Sequence, residues 1–466
     1  MSDKHLSRSW GRARMLAAAC VGCCFWACAE LPAVRTEPTG ATPILVGTHG
    51  ELSPEQSEAI LRTVEGRGGD LLKKHLSTEE AITDLPLAVG NRVTLLQDGP
   101  ATYKAMYAAI RAAKDNINLE IYMLEDDDIG RQLADLFLEK QQQGVQVNIV
   151  YDSVGSIFTP ASFFQRLTEH GINVLQFNPV NPLEARRSWY IDNRDHRKLL
   201  ITDGRVVFTG GINYSGVYSG GSFGRPRRKP SRGDIPWRDT DVRIEGPVVA
   251  EFQKIFLQTW AQQKGPPLPK RDYFPTLAPV GKQIVRAIAT APDIADSRGS
   301  LLYGTLMSAI ANAERSIHLT NAYFVPDPKL IRALQDAARR GVDVKLILPS
   351  QTDFWAPLYA GRSHYHQLLQ AGVKIYERRA VLLHAKTAVI DGVWSTVGSS
   401  NLDWRSFVHN YELNAVILGP EFGGEMEDAF AMDLAKSDRI DAHAWAHRPL
   451  GSRFREWAAR LWEYWL

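Results

Sequence analysis

Two stretches of the 466-residue chain carry the same side chains at the same spacing. The first holds His196, Lys198, Asp203, Gly210, Gly211 and Asn213; the second holds His384, Lys386, Asp391, Gly398, Ser399 and Asn401. Both satisfy H-x-K-x4-D-x6-G-[GS]-x-N, and so many fixed positions recurring together make coincidence a poor explanation. Each copy offers an imidazole able to serve as nucleophile or general acid–base, a fixed cation, and an amide. The two copies together predict one site built from two halves and suited to a phosphate group, whose oxygens take the cations and amides. A single histidine on a strand is more often a satisfied core residue; two matched His–Lys pairs reverse that preference. No metal and no other cofactor is expected. A lysine beside each histidine repels a cation, and the chain has neither H-E-x-x-H nor metal-spaced cysteines.

Asp203-Gly204 and Asp391-Gly392 each lie between apolar runs, a hairpin signal. Read as two-residue turns, they set Lys198 opposite Thr209, His196 opposite Gly211 and His384 opposite Ser399. Residues two apart on a strand share a face, so each histidine and its lysine point the same way. Gly211, Ser399, Asn213 and Asn401 are then expected at the substrate, with Asp203 and Asp391 as turn residues rather than acids.

An attacking imidazole also needs its far nitrogen held by a carboxylate. The repeat nominates Asp239 and Glu412, because residues 239–247 align with 412–420 and both stretches close on Gly-Pro. Asp241 is a weaker candidate, since its counterpart is Asn414. Asp126, Asp127 and Asp128 read as the acidic start of a helix rather than as metal ligands.

The elements around the strings repeat as well. Strands are predicted at residues 92–96, 117–124 and 145–151, and helices at 103–114 and 129–143. Asp98-Gly99-Pro100 reads as a turn. The same order returns at 283–289, 302–313, 317–324, 328–340 and 342–348. This is the duplication of a whole β/α domain. Strings and repeat together divide the chain into a linker and N-terminal helical region (30–86), a first lobe (87–265), a linker (266–280), a second lobe (281–435) and a C-terminal tail (436–466). Ser53-Pro54 marks a helix start within the N-terminal region.

The length fits two such lobes. A net charge of +2 argues neither for nor against a local basic patch. All four cysteines lie at positions 20–28, so the folded body has no disulfide framework and no cysteine nucleophile. They sit in an apolar run, residues 15–29, behind Lys4, Arg8, Arg12 and Arg14. Roughly 20 residues span a bilayer, so a secretory signal with Ala27-Cys28-Ala29 as cleavage site is the better reading. Lipoprotein processing at Cys28 and an uncleaved, tilted anchor are the rivals. All three export the body or hold it at a membrane.

The strings resemble the HKD motifs of the phospholipase D superfamily. Their surroundings, including residues 193–198, 237–240, 323–327 and 383–414, resemble its bacterial cardiolipin synthase branch, and the likeness runs from about residue 90 to about 420. The resemblance implies two pseudo-twofold-related α/β/α sandwich lobes with the active site at their interface. It implies a metal-independent, two-step phosphodiester exchange. By analogy His196 is the nucleophile and His384 the acid–base, although near-symmetry leaves the assignment reversible. Lys198, Lys386, Asn213 and Asn401 would hold phosphoryl oxygens, and Asp239 and Glu412 match positions that orient the histidines. A phosphatidyl group would pass to phosphatidylglycerol or a similar lipid; with water as acceptor the same site would be a phospholipase. Members of that branch commonly begin with two membrane spans, whereas this chain has one short apolar segment. The implied location is the bacterial cell membrane, with the body on the periplasmic side.

Three further features bear on substrate. A Gly-rich insertion, residues 215–236, carries Arg225, Arg227, Arg228, Lys229 and Arg232, suited to anionic head groups, to nucleic-acid phosphates or to solvent alone. Phe454, Trp457, Ala458, Leu461, Trp462 and Trp465 form the apolar stripe of an amphipathic helix, suited to a membrane surface or to docking on its own domain. Phe354, Trp355, Pro357, Leu358 and Tyr359 fall where a lip of the site would lie. Near-neutral charge, the export signal and the tryptophan tail argue against nucleic acid as partner. Oligomeric state is left open.

Overall fold

The computed structural model describes residues 43–64, 69–83, 85–181, 192–222, 235–292 and 301–466. The predicted export segment and the five cations of the first-lobe insertion lie outside the described residues. No helix among the described residues is long and apolar enough to cross a membrane.

Each repeat folds into a seven-stranded sheet of the same order. In the first lobe the pairing runs Asn173–Phe177, Gln146–Asp152, Asn116–Ile121, Lys198–Thr202, Val206–Gly210, Thr240–Glu245 and Leu87–Gln97. In the second it runs Lys374–Arg378, Asp343–Pro349, Ser316–Asn321, Lys386–Ile390, Trp394–Gly398, Asn410–Leu418 and Gln283–Thr290. The last strands of the two orders, Leu87–Gln97 and Gln283–Thr290, pair antiparallel across the pseudo-twofold. One continuous sheet therefore runs through both lobes. Leu87–Gln97 is its spine, because its later residues pair with Thr240–Glu245 and its earlier ones with Gln283–Thr290.

Period-two alternation explains how the strands are covered. Ile117, Leu119 and Ile121 face an apolar core shared with Leu133 and Phe137 of the helix Asp128–Gln142. Their neighbours Asn116 and Asn118 are also buried, and there the amides satisfy one another: Asn148 Nδ2 donates to Asn118 Oδ1 at 2.8 Å and Asn173 Nδ2 to Asn148 Oδ1 at 2.9 Å. Asp127 caps the helix by accepting from the backbone N–H groups of Ile129 and Gly130.

Several expectations need correction. Residues 98–100 are not a turn: the helix runs Asp98–Ala112, with Pro100 in its first turn, where its missing N–H is no loss. Part of the proposed N-terminal linker is strand, since Leu45–Gly47 pairs with Gly50–Glu51 and with the start of Leu87–Gln97. Ser437–Arg439 extends the second sheet beyond residue 435 by pairing with Lys374–Arg378. The helix after Ser53 does begin at Pro54, closed by a capping box in which Ser53 N donates to Gln56 Oε1 at 2.9 Å.

The hairpins are one residue longer than expected. Thr202 pairs with Val206 and Ile390 with Trp394, so Leu199, not Lys198, faces Thr209. The cause is two successive left-handed residues, Asp203 (φ 53°) with Gly204 (φ 57°) and Asp391 (φ 55°) with Gly392 (φ 68°), followed by one residue that returns the chain to the strand. Aspartate accepts this strain because its carboxylate is used. Asp203 accepts from the backbone N–H groups of Lys114, Asp115 and Asn116. Asp391 does the same for Glu314, Arg315 and Ser316, and also meets His75 Nε2 at 3.0 Å. Each hairpin is thereby fastened to the start of the antiparallel strand beside it.

The C-terminal helix Leu450–Arg460 docks against Trp355–Gln370 with an unexpected orientation. Its buried residues are Glu456 and Ala459, while Leu450, Phe454, Trp457, Leu461 and Trp462 are exposed. Glu456 is held by Arg448, whose Nε donates to it at 2.9 Å. Ala459 packs in a small cluster with Val325 and Ala360. The helix does dock on its own domain, but with the face opposite its apolar stripe.

Candidate active site

The motif histidines leave their hairpins and join the other lobe. Arg194–Asp195 pairs in parallel with Asn410 and Tyr411 of the second lobe, in the register Asn410↔Arg194 and Tyr411↔Asp195. Trp237–Arg238 pairs in parallel with Leu382–Leu383, in the register Trp237↔Leu382 and Arg238↔Leu383. One residue further along each register stand His196 beside Glu412 and His384 beside Asp239. His196 N donates to Tyr411 O at 2.9 Å and His384 N to Arg238 O at 2.8 Å. The partnership is therefore crossed, each lobe supplying the carboxylate for the other lobe's imidazole.

Both contacts are made by Nδ1. Glu412 takes His196 Nδ1 at 3.1 Å with each oxygen, and Asp239 Oδ2 takes His384 Nδ1 at 2.7 Å. With Nδ1–H donated to a buried carboxylate, Nε2 keeps its lone pair. Lys386 Nζ, at 2.8 Å, and the Tyr218 hydroxyl, at 3.2 Å, also approach His384 Nδ1. One Nδ1 proton serves one acceptor. Asp239, nearest and negatively charged, takes it, and Lys386 donates to the carbonyl of His384 instead.

The carboxylates are themselves fixed. Ser399 Oγ donates to Glu412 Oε2 at 2.5 Å and Asn410 Nδ2 to Oε1 at 3.2 Å. Thr240 N donates to Asp239 Oδ1 at 2.8 Å. A Cβ on Gly211 would lie 2.1 Å from Asp239 Oδ1, so only glycine fits there. This corrects the expectation for Gly211 and Ser399, neither of which is on the wall of the cleft. The first makes room for one carboxylate and the second holds the other. Asp241 and Asn414 are equivalent in another sense, accepting from the backbone N–H of Ile212 and of Ser400 respectively.

Both histidines line a cleft of about 610 Å³ between the lobes, together with Asn213 and Asn401. Asn213 Nδ2 donates to the Tyr218 hydroxyl at 3.1 Å and its Oδ1 accepts from Met123 N. Asn401 Oδ1 is buried without a protein partner among the described residues. The lysines stand behind the imidazoles rather than on the wall, Lys198 Nζ donating to His196 O at 2.6 Å. Asp203 and Asp391 are in the hairpin turns, away from the cleft.

Electrostatics follow from burial. Burial pushes the His196 imidazole down to about 4, with Lys198 adding to the effect and Glu412 opposing it. His384 is lowered by burial and then by Lys386. Burial brings Lys198 down to about 7, with the Lys386 charge contributing, and burial brings Lys386 down to about 8. Burial pushes Glu412 upward, but His196 and Lys198 outweigh it and hold the carboxyl below its usual range. Burial in this low-dielectric pocket thus disfavours charge on both imidazoles and both ammonium groups, and the carboxylates beside them oppose it.

Several wall residues were not found from sequence. Tyr122 meets His196 edge-on at 5.0 Å and Tyr323 meets His384 edge-on at 6.5 Å. Asp403, pushed up to about 7 by burial, also lines the cleft. Arg197, between the first histidine and lysine, bonds to Glu120 and Thr259 of its own lobe and to the Thr290 and Glu412 carbonyls of the other. Its counterpart is Ala385, so comparing the two strings gave no signal for it.

The family described as "Cardiolipin synthase, PLD-like domain" matches residues 106–218 and 306–434, one segment in each lobe. Curated relatives include a cardiolipin synthase of Geobacillus kaustophilus, 34% identical over 381 residues, which cover 81% of this chain and 72% of the relative. A probable cardiolipin synthase of Bacillus subtilis is 32% identical over 372 residues, covering 80% and 71%. Among solved structures, the phosphatidylserine synthase of Haemophilus influenzae superposes with a TM-score of 0.60 at 14% identity, covering 85% of this chain and all of that one. That likeness extends the shared fold to both lobes. The duplicated strings, the paired lobes and the relatives agree, and the chain belongs to the phospholipase D-like cardiolipin synthase family.

Proposed function

We propose that the protein is a phosphatidyltransferase that moves a phosphatidyl group from one phosphatidylglycerol to the hydroxyl of another through a phosphohistidine. The observation that carries the reading is the crossed pairing of His196 with Glu412 and His384 with Asp239 on one cleft. In the first half, His196 Nε2 attacks phosphorus, the bond to the head-group oxygen breaks, and His384 gives that oxygen its proton. Glycerol leaves. In the second half His384 takes the proton of the incoming alcohol, whose oxygen attacks phosphorus and releases His196. Near-symmetry permits the reverse assignment of the two imidazoles.

His384 must be protonated to begin, although burial disfavours its charge. The phosphodiester anion supplies what is missing. A negative charge among two imidazoles and two ammonium groups raises all four pKa values, so substrate binding itself favours a proton on one histidine. Asn401, with its unpartnered oxygen, and Asn213 are placed to orient the entering groups, and Lys198 and Lys386 to balance charge from behind the imidazoles.

The catalytic body is proposed to work at the extracytoplasmic face of the membrane, a reading supported by the export signal predicted from the sequence of residues 1–29. The test is incubation with phosphatidylglycerol and, separately, with DNA, followed by mass spectrometry. Cardiolipin and glycerol in equal amounts are expected. Phosphatidic acid instead would make water the acceptor and the protein a phospholipase; DNA cleavage without lipid turnover would overturn the reading. Loss of turnover in His196→Ala and His384→Ala is expected, with fold checked by circular dichroism.

A further inference from the structure

The C-terminal helix buries its polar side and shows its apolar side to solvent. Leu450, Phe454, Trp457 and Leu461 follow helical spacing and are 78%, 65%, 58% and 53% exposed. Trp462 and Trp465 carry the stripe past the helix end, at 62% and 49%. Soluble proteins seldom leave a contiguous stripe of large apolar residues uncovered, and one rimmed by polar groups marks a docking surface.

What docks there is indicated by where the stripe ends. Trp465 and Leu466 belong to the cleft wall, as do Phe354 and Pro357 at the start of the helix on which the C-terminal helix rests. Phe354 and Trp355 are themselves about half exposed. The apolar surface is thus continuous from the outer helix into the mouth of the site. Exposed Arg453, Arg455 and Arg460 lie beside the stripe, and tryptophan with flanking arginine is the composition of an interfacial helix on an anionic bilayer. The attachment beneath is built to hold: Glu456 with Arg448, Glu463 with His364 Nε2 at 2.8 Å, and Tyr359 with Arg455 at 3.1 Å.

We propose that residues 450–466, with the lip at Phe354 and Trp355, seat the protein on an anionic membrane surface so that the cleft mouth opens against the lipid head groups. The bilayer covers the stripe, and a lipid rises into the cleft along an apolar path without crossing water. This deepens the phospholipid reading of the cleft; the seating is measured without it.

The test uses the full chain, with and without vesicles of equal parts phosphatidylglycerol and phosphatidylethanolamine, followed by amide hydrogen exchange resolved along the sequence. Slower exchange at 450–466 and 354–359 on vesicles is expected, whatever residues 1–29 contribute to binding. Unchanged exchange there would overturn the proposal. So would protection that grows with protein concentration in the absence of vesicles, which would assign the stripe to a second copy. In the triple variant Phe454→Ser, Trp457→Ser, Trp462→Ser, turnover of vesicle phosphatidylglycerol should fall by at least about tenfold. Turnover of a monomeric short-chain phosphatidylglycerol should stay unchanged. Equal turnover of vesicles by variant and parent would also overturn it. Vesicle protection in a protein that turns over neither lipid would leave the seating standing and remove the assigned reaction.

Discussion

Glu412 lies one residue beyond Tyr411 in a strand whose pairing with Arg194–Asp195 puts its carboxylate against His196 of the other lobe. Neither repeat supplies the carboxylate for its own motif histidine. The catalytic arrangement is a property of the register between the lobes, and two short parallel strand pairs set that register.

Replacing Glu412 by Gln keeps the shape and removes the charge that steadies an imidazolium. Turnover should fall by at least about 100-fold, the low end for a disabled general base or nucleophile. Asp239→Asn should do the same through His384. Steady-state turnover with a folded-state check by circular dichroism measures both; activity within a factor of two of the parent would remove the crossed pairs from the mechanism.

The two positions after the motif glycine should respond differently to exchange. Gly211→Ser forces a Cβ onto Asp239 Oδ1, 2.1 Å away, and should nearly abolish turnover. Ser399→Gly removes one hydrogen bond to Glu412, about 1.5–3 kcal/mol for a bond to a charged group, and should leave measurable turnover. Turnover in Gly211→Ser above that in Ser399→Gly would contradict this placement.

Stability should carry the signature of the buried imidazole. His196 is held near 4 when folded against about 6.5 when unfolded. Between those values the unfolded chain binds more protons, so stability falls as pH drops from 6.5 toward 4 and is unaffected by this group above 6.5. In His196→Gln the dependence in that window should flatten by up to about one proton. Denaturant midpoints at a series of pH values read this out, and identical slopes for the two proteins would show that the imidazole is not buried neutral.

Asp391 should behave as a structural residue despite its place in the motif. Asp391→Asn weakens its bonds to the Glu314, Arg315 and Ser316 amides and to His75, and should cost about 1–3 kcal/mol of stability. Turnover per folded molecule should be unchanged. A catalytic loss larger than the folded fraction explains would return Asp391 to the chemistry.

Repeats made much of this legible in advance. Two matched strings located both histidines, and the matching tracts after them located Asp239 and Glu412, because duplicated chemistry leaves duplicated spacing. Which carboxylate serves which histidine was not legible, since it is fixed by two cross-lobe pairings only two residues long, too short to leave a sequence pattern. The hairpin register was missed by one residue because left-handed aspartate and glycine can end a two- or a three-residue loop. Arg197 escaped for the opposite reason to the histidines: it breaks the symmetry, with Ala385 in its place.

The strand Leu87–Gln97 has a consequence for how lipids come and go. It is paired to one lobe along its later residues and to the other along its earlier ones, so the lobes share a single rigid plate. A clamshell opening would tear that plate and both short cross-lobe pairings at once. The cleft is thus a fixed port rather than a closing jaw. Exchange of donor, product and acceptor then proceeds by their passage through the standing cleft rather than by any closing of the lobes.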